Sequence, residues 1–358
     1  MTVQPLQPIG QRSVDGLFPI VGIGASAGGL EAFTQLLHHL PCDTGMAFVL
    51  VQHLDPKHES RLGPLLAKAT SMPVIEATDG LAILPDHVYI IPPDTTLTVK
   101  EGILRLTPRG ETRGLHLPID RLFDSLSADR RTAAIGVVLS GSGADGTLGL
   151  ERIKSEGGIT FAQDEPSAKF PSMPRSATRS GSVDFVLSPE AIALELVRIG
   201  RHAYLSPGQD TNGPGEDDLF RKVLRLLREA TGVDFREYRE TTIRRRILRR
   251  MVLHNRKELA DYVRLLEEDR SEIDALFEDI LINVTRFFRE PEVFEELKRT
   301  VFPEILKGRT SAAPIRIWVP GCSTGQEAYS LAMALLEYLE ESSSHVPLQI
   351  FATDLSDA

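Results

Sequence analysis

Three short runs, Phe18–Ile23, Met46–Gln52 and Ala134–Leu139, are apolar almost without interruption and rich in β-branched residues. A strand with one wet face alternates apolar and polar residues, so runs that do not alternate must be covered on both faces. His87–Ile91, Ile159–Ala162 and Val183–Leu187 are further strand candidates, and helical patterns lie between them. Strands alternating with helices predict an α/β domain with a doubly wound, mostly parallel sheet over residues 18–200. Thr96–Val99 and Ile103–Leu106, joined through Lys100-Glu101-Gly102, predict one β-hairpin with Gly102 in its turn.

Beyond residue 200 the texture changes. Residues 201–216 hold Ser206-Pro207-Gly208 and Asn212-Gly213-Pro214-Gly215, turn formers that mark a linker. From 217 to 308 the apolar residues take helical spacing, as in Leu219/Val223/Leu226/Leu227, Ile243/Ile247/Met251 and Ile273/Leu276/Phe277/Ile280. This predicts an all-α subdomain. At Ile315 the pattern returns to a strand, a Gly-rich loop, a helix (Glu327–Leu339) and a second strand (Leu348–Ala352). Residues 313–358 therefore predict the start of a Rossmann-like domain, and one strand–helix–strand unit cannot cover both faces of a sheet, so an incomplete domain is expected. Residues 1–17, polar and Pro/Gln-containing, read as a flexible leader.

With 42% hydrophobic and 25% charged residues, the composition is that of a globular protein. A net charge of −10 offers no overall attraction for nucleic acid or anionic membrane. No stretch reaches the roughly 18 apolar residues of a membrane span, and the N-terminus lacks a signal peptide's apolar core. Cys42 and Cys322 lie far apart without metal-ligand spacing, so no metal site is predicted and a reduced cytoplasm is the expected compartment.

The first chemical signal is Gly24-x-Ser26-x-Gly28, at a strand-to-helix junction with the spacing of a nucleophile elbow. A serine hydroxyl needs a base to take its proton. Met46–Gln52 ends at His53, and Ala134–Leu139 runs into Ser140-Gly-Ser-Gly-Ala-Asp145. Ligands gather at the carboxyl ends of strands in an open α/β sheet. Ser26, His53 and Asp145 are therefore expected to converge as nucleophile, base and orienting acid. Gly22-x-Gly24-x-x-Ala27 also matches a dinucleotide fingerprint, for which Asp55 is the only nearby acidic residue; a nucleotide-dependent oxidoreductase stays open on these residues alone. A silent signalling scaffold is a further alternative, disfavoured by the complete set of three. His38, His39, His58, His87 and His116 have no such placement and are expected at the surface or in packing.

Residues 18–200 resemble the catalytic domain of chemotaxis protein-glutamate methylesterases. The matching pieces are Gly-Ile-Gly-Ala-Ser-Ala-Gly-Gly at Ser26, Val-Gln-His-Leu at His53, and Leu-Ser-Gly-Ser-Gly-Ala-Asp-Gly-Thr at Asp145; Ala162-Gln-Asp-Glu-Pro and Ser172-Met-Pro-Arg-Ser-Ala also fit. The resemblance implies hydrolysis of glutamyl γ-methyl esters on receptor helices, with deamidation of glutamine in some members and no cofactor for the esterase. It implies a methylated chemoreceptor or similar signalling protein as partner, through which alone the chain meets a membrane. Two near-site positions depart from the family. Ser142 replaces the methionine whose backbone N–H helps bind the oxyanion, and Ala27 replaces the threonine after the nucleophile. The receiver domain that usually precedes this domain is not expected in the 17 residues ahead of Phe18.

The second signal is Pro320-Gly321-Cys322-Ser323-Thr324-Gly325-Gln326-Glu327 after Ile315–Val319, with Asp354 ending the next strand. Phosphate, dinucleotide and S-adenosylmethionine sites share such a loop; a P-loop is excluded by the missing Gly-Lys-Ser/Thr. Residues 217–358 resemble the methyltransferase that opposes the esterase in chemotaxis, with Asn283-Val-Thr285-Arg-Phe-Phe-Arg289-Glu the most specific stretch. The resemblance implies that Asn283, Thr285, Arg289, Gly321, Glu327 and Asp354 face S-adenosylmethionine, while the family's later strands have no counterpart and methyltransferase activity is not expected. Arg244, Arg245, Arg246, Arg249 and Arg250 cluster on one predicted helix. A solvated basic face is one reading, and the resemblance favours docking to acidic receptor helices.

Overall fold

The computed structural model describes residues 18–53, 62–109, 116–200, 216–281, 285, 287–307 and 313–355. They fall into two compact units, the first running through Leu276 and the second beginning at Phe277. In the first, the chain runs β1 (Ile20–Ala25), α1 (Gly29–His38), β2 (Ala47–Gln52), α2 (Leu62–Leu66), β3 (Val74–Glu76), β4 (Val88–Ile90), β5 (Thr95–Lys100) and β6 (Ile103–Pro108). It continues through α3 (Pro118–Arg130), β7 (Ala134–Val138), α4 (Thr147–Ser155), β8 (Ile159–Gln163), α5 (Ser172–Arg179), β9 (Phe185–Leu187) and α6 (Pro189–Gly200).

Seven strands form one sheet in the order β3-β4-β2-β1-β7-β8-β9, and every pairing in it is parallel. Alternate residues of the central strands enter two separate cores. Val21, Ile23, Phe48, Leu50, Ile135 and Val137 pack with Phe33, Leu36, Ile192 and Leu196 of α1 and α6. Ile20, Val49, Val51, Ala134 and Val138 pack with Ile119, Phe123, Leu126 and Leu150 of α3 and α4. Helices on both faces explain the unbroken apolar runs. β3 is absent from the sequence reading, since Val74 and Ile75 stand alone between Pro73 and Glu76. β1 extends past Ile23, since Gly24 and Ala25 keep pairing with Val51 and Gln52 before the chain turns. The hairpin β5–β6 closes at Lys100 and Ile103, with Glu101 and Gly102 both at positive φ (55° and 69°), the backbone of a type I′ turn.

Four helices complete this unit: α7 (Glu216–Thr231), α8 (Glu240–Leu253), α9 (Leu259–Glu268) and α10 (Arg270–Ile280), the last reaching across the unit boundary. The basic cluster on α8 departs from both readings of it. Arg249 and Arg246 are 0% and 1% exposed, so they form neither a solvated face nor a surface open to a receptor. Arg244 pairs with Asp217 and Glu240, and Arg250 pairs with Glu272. Helical spacing predicts the helix but not which side of it another part of the chain will cover.

The second unit contains α11 (Pro291–Glu296), a π turn, α12 (Phe302–Leu306), β10 (Ile315–Pro320), α13 (Gln326–Glu341) and β11 (Leu348–Thr353). β10 and β11 pair in parallel, and Phe294, Phe302, Ile315, Ala334, Leu335 and Leu339 form a core. Trp318 is 68% exposed on this two-stranded sheet, as expected of a sheet too narrow to bury both faces. No helix among the described residues is long and apolar enough to cross a membrane.

Candidate active site

Ser26 and His53 are the residues immediately beyond β1 and β2. The register pairs Ala25 with Gln52, and the His53 N–H donates to Ala25 O at 3.4 Å. Adjacent strands lie about 4.8 Å apart and side chains at matched positions share a face, so this register alone brings serine and histidine side by side. The Ser26 N–H donates to Ser140 O beyond β7 (3.0 Å), and Gly29 N–H donates back to Ser26 O (3.0 Å). Gly28 caps α1 at φ +76°, and a Cβ there would meet Ser140 Oγ at 2.7 Å, so glycine is required both by conformation and by space. Ser26 is half-buried, and its Oγ has no hydrogen-bond partner among the described residues.

Asp145 arrives from the β7–α4 loop. Its side chain is 2% exposed, and its Oδ2 lies 2.7 Å from His53 Nε2. Two backbone donors hold the same carboxylate: Ile119 N–H on Oδ2 (3.1 Å) and Asp120 N–H on Oδ1 (2.9 Å). Both belong to the first turn of α3, where N–H groups have no partner within the helix. The helix terminus thus anchors the carboxylate, and the carboxylate fixes the imidazole. Of the expected trio, His53 and Asp145 are joined directly, and Ser26 follows the neighbouring strand end with no hydrogen bond to His53. A loose serine–histidine contact is common in ligand-free sites.

The two near-site positions also fall beside Ser26. A Cβ on Gly141 would sit 2.9 Å from Ser26 Cβ, which measures how closely the loop carrying Ser142 approaches. Among the described residues, neither the Ala27 N–H nor the Ser142 N–H has an acceptor. Ser140 braces this arrangement: its Oγ donates to Ala27 O (2.9 Å) and accepts from Phe170 N–H (3.0 Å). Phe170 O accepts in turn from Gly141 N–H.

Three residues that sequence reasoning missed surround this trio. Asp120 accepts from Gly149 N–H (2.8 Å) in the first turn of α4. Its burial, with the nearby charge of Asp145 adding, pushes its carboxyl up to about 6 against the lowering effect of Gly149. His116 and Arg109 line a pocket of about 170 Å³ with Gln52, His53, Asp94 and Thr95. His116 is half-exposed, in keeping with the surface position expected of it, and lines this pocket with His53. Burial lowers the affinity of His116 for a proton, and the charges of Arg109 and His53 act in the same direction. No spacing rule links these positions to Ser26: Arg109 follows β6, His116 stands just ahead of α3, and Asp120 lies in its first turn. Asp55, the acidic residue of the dinucleotide alternative, and His58 lie outside the described residues.

In the second unit, the Gly-rich loop and the end of β11 meet. Ser323 N–H donates to Asp354 Oδ2 (2.7 Å) and Cys322 N–H to Thr353 O (3.1 Å). Gly321 (φ +67°) has open space where a Cβ would be, and Gly325 (φ +93°) caps α13. Glu327 is exposed in the first turn of α13. Phe288 N–H donates to Ser330 Oγ (2.9 Å), which brings the stretch holding Thr285 and Arg289 to α13. Asn283 lies outside the described residues. A glycine loop with two carboxylates suits a ligand carrying positive charge and ribose hydroxyls.

Sequence profiles of known families divide the chain in the same order. The profile of CheB methylesterase matches residues 21–196, that of the CheR methyltransferase all-alpha domain residues 218–281, and that of the CheR methyltransferase SAM binding domain residues 283–358. An uncharacterised 104.1 kDa protein of Rhodobacter capsulatus is 36% identical over 316 residues, covering 82% of this chain and 33% of that protein. A Leptospira interrogans protein, provisionally named protein-glutamate methylesterase/protein-glutamine glutaminase, is 34% identical over 52% of this chain and 96% of its own length. Protein-glutamate methylesterase/protein-glutamine glutaminase 2 of Xanthomonas oryzae is 36% identical, over 51% of this chain and 52% of its own. The chain thus spans a third of the first relative and about half of the last. Among solved structures, the Thermotoga maritima CheB methylesterase catalytic domain matches at 30% identity and a TM-score of 0.48, over 51% of this chain and 98% of that one. The chain belongs to the CheB methylesterase family and continues from it into CheR methyltransferase sequence.

Proposed function

We propose that residues 18–200 are a serine hydrolase that cleaves glutamate γ-methyl esters on a chemoreceptor or related signalling protein. The observation that carries this reading is the 2.7 Å His53–Asp145 contact beside Ser26, because a serine becomes nucleophilic only with an oriented base. Asp145 occupies Nε2, so the opposite ring nitrogen, Nδ1, takes the Ser26 proton. Ser26 Oγ attacks the ester carbonyl, and the oxyanion accepts from the Ala27 and Ser142 N–H groups. Collapse expels methanol, which carries away the proton held on His53. Water, deprotonated by His53, then attacks the acyl-serine, and the acyl–Oγ bond breaks as Ser26 Oγ takes that proton from His53, releasing the glutamate. A glutamine side chain passes through the same steps with ammonia as leaving group, in keeping with the paired names of the relatives.

The same proposal divides the chain into an esterase domain, the linker 201–216, the helical segment 217–308 and an S-adenosylmethionine-binding portion from 313. Asn283, Thr285 and Arg289, late in the helical segment, with Gly321, Glu327 and Asp354 of that portion, would hold S-adenosylmethionine, which when bound supplies an electrophilic methyl group. A fluorophosphonate probe tests the nucleophile directly. Its mass is expected on the peptide containing Ser26 and absent from Ser26→Ala. Equal labelling of both proteins would remove Ser26 from the role.

A further inference from the structure

The arginines of α8 are held by the esterase domain itself. Arg246 Nη1 donates to Lys154 O (3.1 Å), and its Nη2 to Ser155 O. Both carbonyls belong to the last turn of α4, where acceptors lack partners within the helix and the dipole favours a cation. Arg249 Nε donates to Gly158 O (3.0 Å), and its Nη2 reaches both oxygens of Asp184, at 2.6 Å from Oδ1. The Asp184 side chain is 3% exposed, and its Oδ2 also accepts from Thr160 N–H and Oγ1.

The contact is reciprocal. Arg198 of α6 donates to Val252 O at the end of α8 (2.9 Å) and to Asn255 Oδ1 (3.2 Å). Val252 is wholly buried in the core built by α1, α6 and one sheet face, and Leu253 packs against it. Each side therefore caps a helix of the other, around an apolar plug. A guanidinium buried without its acceptors would be severely destabilising, so Arg246 and Arg249 read as a built contact and not as incidental surface charge.

Its location is informative. Gly158 precedes β8 and Asp184 precedes β9, so α8 meets the amino ends of these strands. Ser26 and His53 lie at the carboxyl ends of β1 and β2, and all the strands are parallel.

We propose that α8 is an intramolecular dock, binding the helical segment to the esterase domain at the sheet edge opposite Ser26 through Arg246, Arg249 and Val252. The esterase and the helices through Leu276 then behave as one body, joined at the edge opposite Ser26. An acidic partner helix cannot engage Arg246 or Arg249 while Asp184 and the α4 carbonyls hold them.

The test uses the full chain with a protease site inserted between Gly200 and Glu216. After folding and cleavage, size-exclusion chromatography at micromolar concentration should show the two pieces eluting together. The double substitution Arg246→Met/Arg249→Met should weaken their association at least tenfold. Asp184→Asn should weaken it from the other side, and it decides the matter if the arginine variant does not fold. Arg236→Met serves as control, since Arg236 is exposed and pairs only with Asp234 among the described residues. Separation of the cleaved wild-type pieces, or wild-type association by both the arginine variant and Asp184→Asn, would overturn the dock.

Discussion

Asp120 and Asp145 cap each other's helices. Asp145, just ahead of α4, accepts from Ile119 and Asp120 N–H at the start of α3, while Asp120 accepts from Gly149 N–H at the start of α4. The exchange ties the loop carrying the candidate orienting acid to the helix packed on β1 and β7. Only Asp145 reaches His53.

Asp120 gives this exchange a pH dependence. Its carboxyl is raised to about 6, above its ordinary value of 3.8. The folded protein therefore holds a proton there that the unfolded chain has already released. This contribution to stability is complete below pH 3.8 and is lost as pH rises through about 6. Asp120→Asn keeps an acceptor for Gly149 without the titration. Denaturation from pH 4 to 8 should show the stability difference, wild type minus variant, falling with pH by on the order of 1 kcal/mol after solvent screening. A flat difference would detach Asp120 from this behaviour.

Asp145→Asn should separate position from charge. The amide retains the shape but gives His53 Nε2 a poorer acceptor, and can favour the wrong tautomer. Activity on an ester is expected to fall by roughly two to four orders of magnitude. Weaker capping of α3 should cost about 1 kcal/mol, read as a lower Tm. Unchanged kcat with lowered Tm would reduce Asp145 to a structural cap.

At Gly24 the sheet and α3 approach closely. A Cβ there would lie 2.2 Å from Ile119 Cγ2. Gly24→Ala should therefore destabilise by about 1–3 kcal/mol, and should lower activity because Ile119 N–H holds Asp145. Adding Ile119→Ala vacates the space, so the double variant should lose less than the sum of the singles. Strict additivity in denaturant titrations would contradict the clash.

In the helical segment, Glu272 accepts from Arg250 Nε (2.9 Å), Tyr262 OH (2.7 Å) and His254 Nε2 (2.7 Å). Burial pushes its carboxyl up, but the hydrogen bonds from Arg250, His254 and Tyr262 outweigh it and hold the group at about 2. Its contribution is present above the ordinary value of 4.5 and lost as pH falls towards 2. Glu272→Gln should cost roughly 3 kcal/mol at pH 7. The gap from wild type should narrow between pH 5 and 2.5 in urea titrations; a constant gap would place the low proton affinity elsewhere.

Much of the esterase part was legible because its signals are local. Strands covered on both faces need unbroken apolar runs, and a serine at a tight turn needs glycines such as Gly28. Ser26, His53 and Asp145 could be grouped because parallel strands deliver their carboxyl ends to one edge. What stayed hidden depends on packing between distant segments. Nothing near His116 or Asp120 announces that one will line the pocket with His53 and the other will hold Asp145, and nothing on α8 distinguishes Arg246 and Arg249 from exposed arginines until the esterase domain covers them. β3 was missed because two apolar residues between Pro73 and Glu76 make no pattern.

The most direct measurement is methanol release from a methylated chemoreceptor fragment by wild type and Ser26→Ala in parallel. Steady release by the wild type, lowered by several orders of magnitude in the variant, is the predicted result. Equal release by the two proteins, or none by a correctly folded wild type, would contradict the assignment of Ser26 as the nucleophile of a glutamate methylesterase.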